Sequence, residues 1–279
     1  MTEIITDKDK LSKPTDNPVL PKACEILAIQ KHTPNEWTFR ISFDNTVKPG
    51  QFLELSIPKV GEAPISVSGM GNGYAELTIR NVGTVTEQIF DLEVGDYMYA
   101  RGPYGNGWLI NQYSGKHLVV IAGGTGVSPV RGLIEYAREN PNDFLSVNLI
   151  LGFKNKDSIL FKNNLDKWRE AERFNAVYTL DNEDYEEFKK GMVTEFIPEI
   201  PFDEFSDDYT VVMVGPPIMI RFTALALLKE GVPEEKIWTS FERKMSCGIG
   251  KCGHCRINET YVCLDGPVFN YTKAKDLMD

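Results

Sequence analysis

The chain has 279 residues, of which 42% are hydrophobic and 25% charged, enough for two domains that each bury an ordinary globular core. Its formal net charge of −10 argues against a nucleic-acid binder, because such proteins need a basic face to displace counterions from phosphate. No apolar run approaches the roughly 20 residues that a membrane-spanning helix needs, and the charged N-terminus lacks the hydrophobic core of a signal peptide. We therefore expect a cytoplasmic protein in which residues 1–18 form a flexible tail.

The first half of the chain shows the pattern of a small antiparallel barrel. Short apolar segments of strand length alternate with turn-forming Gly, Pro, Asn and Asp residues, as in closed barrels. Cys24 lies alone in the first segment and is expected to be a small buried apolar residue. The predicted strands cover residues 24–29, 37–43, 52–57, 75–80 and 97–101, and the predicted turns include residues 69–73 and 102–107.

Hydroxyls, amides and a cation cluster at two places in this half, Ala63-Pro-Ile-Ser66 and Arg80-Asn-Val-Gly-Thr-Val-Thr86. Such side chains can hold a ribityl chain and phosphates, but they are equally common in ordinary turns. The candidate ligand-binding residues are Ser66, Arg80, Gly83, Thr84 and Thr86.

From about residue 113, predicted strands alternate with predicted helices, which indicates a parallel, doubly wound sheet. The predicted strands cover residues 117–122, 145–151, 174–180, 209–214 and 237–241. One helical stretch ends at residue 139, and further helices cover residues 161–172 and 218–229. Residues 192–197 show a mixed pattern of helix and strand.

Two loops of this half follow strands directly. Gly123-Gly-Thr-Gly-Val-Ser-Pro129 precedes a helix, and its glycines would let the backbone approach a pyrophosphate at the helix N-terminus. Gly215-Pro-Pro-Ile-Met219 follows another strand, at the edge where open α/β folds bind ligands. A tight turn is the alternative for the first loop, and a helix start opened by prolines is an equally good alternative for the second.

Four of the five cysteines lie within 17 residues near the C-terminus. Cys247, Cys252, Cys255 and Cys263 form C-x4-C-x2-C followed by a fourth cysteine, the plant-type [2Fe–2S] spacing. A loop that wraps three thiolates around a compact cluster must turn sharply, and the glycines between these cysteines permit that. Since Cys263 follows a strand-like pair, we expect it to enter from a neighbouring β-segment.

Other uses of the four cysteines fit less well. A four-cysteine zinc site normally has two C-x2-C knuckles, and only one is present. Two disulfides would leave the glycine-rich loop unexplained in a reducing compartment. Rieske-type ligation through His254 would need two histidines in place of two cysteines.

Together these segments resemble the ferredoxin-NADP reductase superfamily over residues 22–271. The resemblance implies a flavin-binding barrel at 19–112, a nicotinamide-binding α/β domain at 113–240, and an iron–sulfur lobe with the C-terminal tail at 241–279. It implies FAD, NADH and a [2Fe–2S] cluster as cofactors, and no residue acting as a catalytic acid or base. The cofactor-binding residues that it implies are Pro64, Ile65, Ser66, Arg80, Gly83, Thr84, Thr86, Gly123, Gly124, Thr125, Gly126, Gly215, Pro216 and Met219, with Cys247, Cys252, Cys255 and Cys263 as metal ligands.

Within the superfamily, the chain resembles the family of anaerobic sulfite reductase B subunits. Gly61-Glu-Ala-Pro-Ile-Ser-Val-Ser68 and Gly266-Pro-Val-Phe-Asn-Tyr271 carry much of that similarity. It implies that electrons pass from NADH to a sirohaem/[4Fe–4S] subunit that reduces sulfite to sulfide, with a ferredoxin-like subunit as a further partner. The sulfite chemistry must lie on that partner, because only Cys24 is spare for another cluster. The alternatives are an electron-transfer subunit of dihydroorotate dehydrogenase or of a hydrogenase, and a non-catalytic redox sensor.

Two positions depart from the superfamily pattern. Ala63 stands where the flavin motif has an arginine, which leaves FMN open beside FAD, with Arg80 as a possible substitute cation. Val214 replaces a cysteine that usually lies beside the nicotinamide ring. Lys154 and Lys156 follow the second strand of the α/β half, where a 2′-phosphate would bind, but solvated lysines are the simpler reading and NADH is favoured.

Overall fold

The computed structural model describes residue 17 and residues 19–277. The predicted N-terminal tail, residues 1–18, therefore lies almost wholly outside the described residues. Among the described residues, no helix combines the length and the apolar character needed to cross a membrane.

Six antiparallel strands close into a barrel in the order β1-β2-β5-β4-β3-β6. The barrel closes because β1 pairs with both β2 and β6. Along β3, Leu53 and Leu55 are fully buried inside the barrel, whereas Phe52 packs against the second half of the molecule. Cys24 is 2% exposed in this core, as expected, and burial raises its pKa to about 11. The elements are β1 (Lys22–Lys31), β2 (Glu36–Ser42), β3 (Phe52–Ile57), β4 (Gly61–Gly71), β5 (Tyr74–Arg80), α1 (Thr84–Phe90) and β6 (Tyr97–Tyr104).

Strand β4 was not predicted, and most of the predicted turn at residues 69–73 belongs to it. The register against β5 shifts between Val67 and Gly69, as in a β-bulge. A Cβ on Gly69 would collide with Glu76 and Arg131, so this glycine permits a close approach of side chains within a strand.

The second half is a seven-stranded sheet in the order β10-β9-β8-β7-β11-β12-β15, and its first six strands are parallel. The central strand is apolar along almost its whole length because helices cover both faces. The elements before the cysteine segment are α2 (Ile110–Tyr113), β7 (His117–Gly123), α3 (Val127–Glu139), β8 (Ser146–Phe153), α4 (Lys162–Arg169), β9 (Phe174–Leu180), β10 (Lys189–Lys190), β11 (Tyr209–Val214), α5 (Pro217–Lys229) and β12 (Ile237–Ser240), with a 3₁₀ helix at Val193–Glu199.

The C-terminal segment packs against the sheet and adds one strand to it. Its elements are β13 (Arg256–Ile257), β14 (Thr260–Tyr261), α6 (Val262–Asp265), β15 (Val268–Asn270) and α7 (Tyr271–Ala274). Strand β15 adds to β12 in antiparallel fashion, which makes the sheet mixed. The predicted fold, an antiparallel barrel followed by a doubly wound sheet and a small C-terminal cysteine region, is confirmed.

Helix α3 and its first turn join the barrel to the sheet. Arg131 donates to the Ser68 carbonyl at 3.1 Å and to the Glu76 carboxylate at 2.5 Å, both on the barrel. The buried Trp108 Nε1 donates to the Pro129 carbonyl at 2.8 Å. These contacts hold the barrel face and the carboxyl edge of the sheet in one orientation.

Candidate functional site

The four predicted ligand cysteines come together as two pairs of thiols. Cys247 contacts Cys252, and Cys255 contacts Cys263. The second pair is buried, at 2% exposure for each residue, whereas Cys252 lies at the surface. Within residues 19–277, no three His, Cys, Asp or Glu side chains converge as a single metal ion would require.

Backbone N–H groups of the loop point at these sulfurs. Lys251 and Cys252 donate to the Cys247 Sγ at 3.3 and 3.4 Å, and Gly250 donates to the Cys263 Sγ at 3.2 Å. Such donors stabilise negative charge on sulfur. Burial alone would raise the pKa of Cys247, but the surrounding N–H groups outweigh it and lower the pKa to about 6.

The inner pair behaves differently. Burial, together with the neighbouring Cys255 thiol, raises the pKa of Cys263 to about 12. A buried thiol of this kind becomes a thiolate readily only when a cation supplies the opposing charge. The donor set therefore fits a group that brings its own positive charge, as iron does.

Glycine is required in this loop where it meets the barrel. Gly248 has φ +71°, and a Cβ there would lie 2.6 Å from the ring of Tyr104. The loop thus rests directly on an aromatic side chain at the end of β6. His254, considered for Rieske-type ligation, instead shares a 2.7 Å hydrogen bond with the Ser246 hydroxyl.

The expectation that the fourth cysteine enters from a β-segment is only partly confirmed. Strand β14 ends at Tyr261, and Cys263 lies in the following helix α6 rather than on a β-segment. Its N–H donates to the Cys255 Sγ at 3.4 Å. The short helix turns the thiol inward, which an extended strand at this position would not do for both Val262 and Cys263.

A cleft of about 450 Å³ opens between the barrel and the carboxyl edge of the sheet. It brings together residues from the two halves that the sequence linked to different cofactors. The predicted residues that line it are Ser66, Arg80, Thr125, Gly126, Gly215 and Pro216. Pro64 and Ile65 lie beside Ser66 on β4 without lining the cleft, and Gly83, Thr84 and Thr86 lie at the start of α1.

The two loops at the sheet edge pack tightly because they contain glycine. Met219 places its sulfur between Gly123 and Gly215, and a Cβ on either glycine would collide with it. A Cβ on Gly126 would lie 2.6 Å from the Val214 carbonyl oxygen. Gly124 has φ +55°, in the left-handed region. These glycines therefore let the two loops pack closely against each other and against Met219 at the edge of the sheet.

The predicted barrel residues differ in whether their side chains are already engaged by other groups of the protein. The Thr86 hydroxyl accepts from the Val82 and Gly83 N–H groups at 3.0 Å and donates to the Gly83 carbonyl, so it shapes the turn. Thr84 is exposed, and within the described part of the chain no heavy atom lies within 4 Å of a Cβ built on Gly83. Arg80 reaches the cleft, but its charge is shared with Glu36 at 3.2 Å.

Sequence reasoning missed the residues after β12. Phe241 and Glu242 line the cleft together with Ser240, the last residue of that strand. A signal was present, since the carboxyl end of β12 lies at the same edge as the two glycine loops. The sequence pattern places Phe241 at the end of the last predicted strand and residues 241–279 in the cysteine lobe, and it links neither Phe241 nor Glu242 to a ligand.

A buried carboxyl group lies on the barrel face beneath the cysteine loop. Glu54 is fully buried, and neither of its carboxylate oxygens has a hydrogen-bond partner among the residues that the structure describes. Burial raises its pKa to about 7, against the opposing effect of Arg101.

This environment predicts a pH-dependent cost of folding. The unfolded chain ionises Glu54 near its ordinary pKa, so the ionisation penalty begins above that value and is complete only above the folded pKa. At pH 8 the unfolding free energy of the Glu54→Gln variant should therefore exceed that of the wild type, by up to about 3 kcal/mol. At pH 5 the gain should be much smaller. Thermal or denaturant unfolding at the two pH values measures this, and parallel pH profiles for both proteins would contradict it.

Two family models match the chain. The model described as "Oxidoreductase NAD-binding domain" matches residues 120–224, which run from the middle of β7 into α5. The model described as "Iron-sulfur cluster binding domain of dihydroorotate dehydrogenase B" matches residues 242–275, which contain the four cysteines.

Several known proteins are similar along most of the chain. The sulfhydrogenase 1 subunit gamma of Pyrococcus furiosus is 35% identical over 278 residues, covering 94% of each chain. A probable dihydroorotate dehydrogenase B (NAD(+)) electron transfer subunit of Methanocella arvoryzae is 34% identical and covers 90% of each chain. Neither name is that of a sulfite reductase subunit.

Solved structures share the fold. An NADH-dependent reduced ferredoxin-NADP oxidoreductase aligns with a TM-score of 0.75 and 24% identity, covering 91% of this chain and 92% of the other. A ferredoxin NADP+ reductase from Neisseria gonorrhoeae aligns with a TM-score of 0.65 and 22% identity, covering 76% and 92%.

Proposed function

We propose that this chain, which belongs to the ferredoxin-NADP reductase-like family of electron-transfer subunits with a C-terminal iron–sulfur binding domain, oxidises NADH and delivers the electrons singly to a catalytic partner subunit. The observation that carries this proposal is the shared cleft. Ser66 and Arg80 of the barrel face Thr125, Gly126 and Gly215 of the sheet across it. A flavin held by the first group and a nicotinamide held by the second would meet there.

When bound, the flavin would supply the conversion of a two-electron hydride into single electrons, and the cluster would supply a one-electron exit. The chain's own residues orient these groups. Met219, seated between two glycines, fixes the spacing of the two sheet loops. Positioning governs hydride transfer, so no acid or base among the cleft residues is required.

We assign a [2Fe–2S] cluster to Cys247, Cys252, Cys255 and Cys263. The two thiol pairs support it, since a cluster with two irons takes two thiolates on each. A zinc ion would draw all four sulfurs toward one point. Iron and acid-labile sulfide analysis of anaerobically purified protein, with the electron paramagnetic resonance spectrum of the reduced form, tests the assignment.

NADH is favoured over NADPH by the charges after β8 and β9. Lys154 lies near Asp181, and the Lys156 N–H donates to the Glu183 carboxylate. The Asp181 carboxylate offsets the Lys154 charge, and both carboxylates would repel a 2′-phosphate. Reduction rates of the bound flavin with each nucleotide test the preference, and a faster rate with NADPH would overturn it.

The flavin site is testable at Gly83. Its φ of −176° is extended and its Cβ position is open, so alanine should leave the unfolding free energy within about 0.5 kcal/mol of wild type. The added methyl group would occupy space that we assign to a flavin phosphate, and we expect about tenfold weaker flavin retention, comparable to one lost charged hydrogen bond. Fluorescence of released flavin measures this. Val82→Ala, which adds no atom beside the same turn, is the matched control and should retain flavin normally.

The catalytic partner is a separate proposal. The similarity to a sulfhydrogenase gamma subunit supports a hydrogenase-type partner, and a dihydroorotate dehydrogenase is supported in the same way. A sulfite-reducing partner with sirohaem and [4Fe–4S] groups is the second candidate, carried by the motif stretches at residues 61–68 and 266–271. We rank it below the first, because the named relatives favour hydrogenase and dihydroorotate dehydrogenase.

One experiment separates these candidates. The chain is purified anaerobically with its native partners and assayed with NADH for the reduction of protons to hydrogen, of orotate to dihydroorotate, and of sulfite. The isolated chain should reduce an artificial one-electron acceptor and none of the three substrates. A purified chain without flavin would contradict the proposal. A chain that contains flavin but does not reduce the acceptor would favour a redox sensor.

A further inference from the structure

The Arg101 side chain joins the barrel to the cysteine loop. Arg101 lies on β6 with its side chain 4% exposed, yet its guanidinium is fully engaged. It donates to the Glu62 carboxylate at 2.6 Å and to the Cys247 carbonyl at 2.7 Å. It also donates to the Ser246 carbonyl and, at 3.2 Å, to the Tyr104 hydroxyl.

This arrangement needs arginine. The planar guanidinium pairs with a carboxylate and still directs N–H groups at two consecutive carbonyls, which a lysine ammonium cannot reproduce. Glu62, on β4, is held in turn by the Ser56 hydroxyl at 3.0 Å. Three barrel strands therefore fix the orientation of one cation against the loop.

The contact reaches the first ligand residue of the loop. Arg101 and Cys247 are 146 positions apart in sequence, and the hydrogen bond is to the carbonyl of the ligand residue itself. Movement of Arg101 would move the Cys247 backbone and with it one thiolate. The cation is permanent, because a guanidinium does not lose its proton in proteins.

We propose that Arg101 is a positioning residue that seats the cysteine loop on the barrel and whose fixed charge raises the reduction potential of the cluster bound there. The electrostatic part rests on the proposed function, whereas the seating of the loop does not. The reduced cluster carries one more negative charge than the oxidised cluster, so a nearby cation stabilises the reduced form. The Glu62 carboxylate has the opposite effect.

The test compares Arg101→Gln with Glu62→Gln in the cluster-loaded protein by redox titration of the electron paramagnetic resonance signal. Removing the cation should lower the reduced-to-oxidised ratio at a given ambient potential about tenfold, equivalent to ~59 mV for one electron. Removing the carboxylate should raise the ratio. Damage to the fold alone would not shift the two variants in opposite directions.

Arg101→Lys and Arg40→Gln complete the set. The lysine variant keeps the charge, so the reduction potential of the cluster should stay close to the wild-type value. The loop should nevertheless be less rigid than in the wild type. Arg40 pairs with Glu76 elsewhere on the barrel, so its removal should leave the potential unchanged. Equal shifts in all variants, or no shift in Arg101→Gln, would overturn the electrostatic part.

Amide hydrogen exchange of residues 246–253 tests the seating without reference to any cluster signal. Arg101→Gln should speed exchange there at least about tenfold, since the loop loses its hydrogen bonds to the Arg101 guanidinium, and Arg40→Gln should not. Unchanged exchange in Arg101→Gln would overturn the seating role. A wild-type protein that binds no iron would overturn the proposed function and the electrostatic part, while the exchange result would still decide the seating.

Discussion

Replacing Cys252 with serine is expected to abolish electron delivery to one-electron acceptors while NADH still reduces the bound flavin. Cys252 is the most exposed of the four thiols and pairs with Cys247, so serine leaves the buried pair and the core intact. A serine hydroxyl is a poor ligand for iron at neutral pH, since thiolate is the donor that such clusters require. We expect iron content to fall and acceptor reduction to drop at least about 100-fold, because loss of outer-shell support alone costs up to that much.

The measurement combines iron analysis, stopped-flow absorbance of the flavin after mixing with NADH, and steady-state acceptor reduction. Cys24→Ala is the control, because Cys24 is a buried cysteine in the barrel core and lies outside the quartet. It should retain iron and turnover at a modest cost in stability. Full acceptor reduction by the iron-free Cys252→Ser protein would show that electrons leave directly from the flavin and not through the cysteine loop.

Replacing Gly126 with alanine is the second change with a large expected effect. A Cβ at this position would lie 2.6 Å from the Val214 carbonyl oxygen and 2.8 Å from the Gly215 Cα, and both contacts are with backbone. The loop after β7 and the loop after β11 must then separate, since neither contact can be relieved by a side-chain rotation. Overpacking of this kind typically costs about 1–3 kcal/mol of stability.

The functional cost should exceed the cost in stability. The two loops form the part of the cleft that we assign to the nicotinamide, and a shift of about 1 Å there can slow hydride transfer about 100-fold. The expected result is a fall of that size in NADH-dependent flavin reduction, with flavin and iron contents unchanged. Transient kinetics with NADH measures it.

Gly132→Ala provides the matched control for this substitution. Gly132 lies within α3, where the nearest atom to a new Cβ is the flexible terminal methyl group of Met70, at 3.0 Å. Alanine also favours the helix, so flavin reduction should stay near the wild-type rate. If Gly126→Ala reduced its flavin as fast as Gly132→Ala, the nicotinamide would have to bind elsewhere.

The strand pattern was predicted well where hydrophobic alternation was continuous and poorly where glycines interrupted it. Strand β3 has the predicted bounds, whereas β4 was missed because proline and glycines at positions 64, 69 and 71 are typical of turns. The structure uses Gly69 at a bulge, so that Glu76 and Arg131 can approach. In the sequence, a glycine that permits a close contact looks the same as a glycine that forms a turn, because the contacting side chain is not known.

The segment at residues 102–107 shows the same limit. It was predicted as a turn, but residues 102–104 belong to β6. The residues that follow bind the C-terminal segment: Asn106 donates to the Val268 carbonyl at 2.8 Å and accepts from the Val268 N–H at 3.2 Å. Gly105 lies so close to Gly266 that a Cβ would be 2.8 Å from its carbonyl oxygen. Nothing in the local pattern indicates a partner 162 residues away.

The sequence by itself determined the elements that depend on near neighbours. The spacing of the four cysteines and the glycine-rich turns between them encode a metal-binding loop locally, and the alternation of apolar strands with amphipathic helices encodes a parallel sheet. Only the tertiary structure decided how these parts face one another. The cleft that joins Ser66 to Gly215, and the seat that Arg101 makes for Cys247, exist because barrel, sheet and cysteine loop pack together. Each of these contacts joins residues that are far apart in the sequence, so no single stretch of sequence contains both partners.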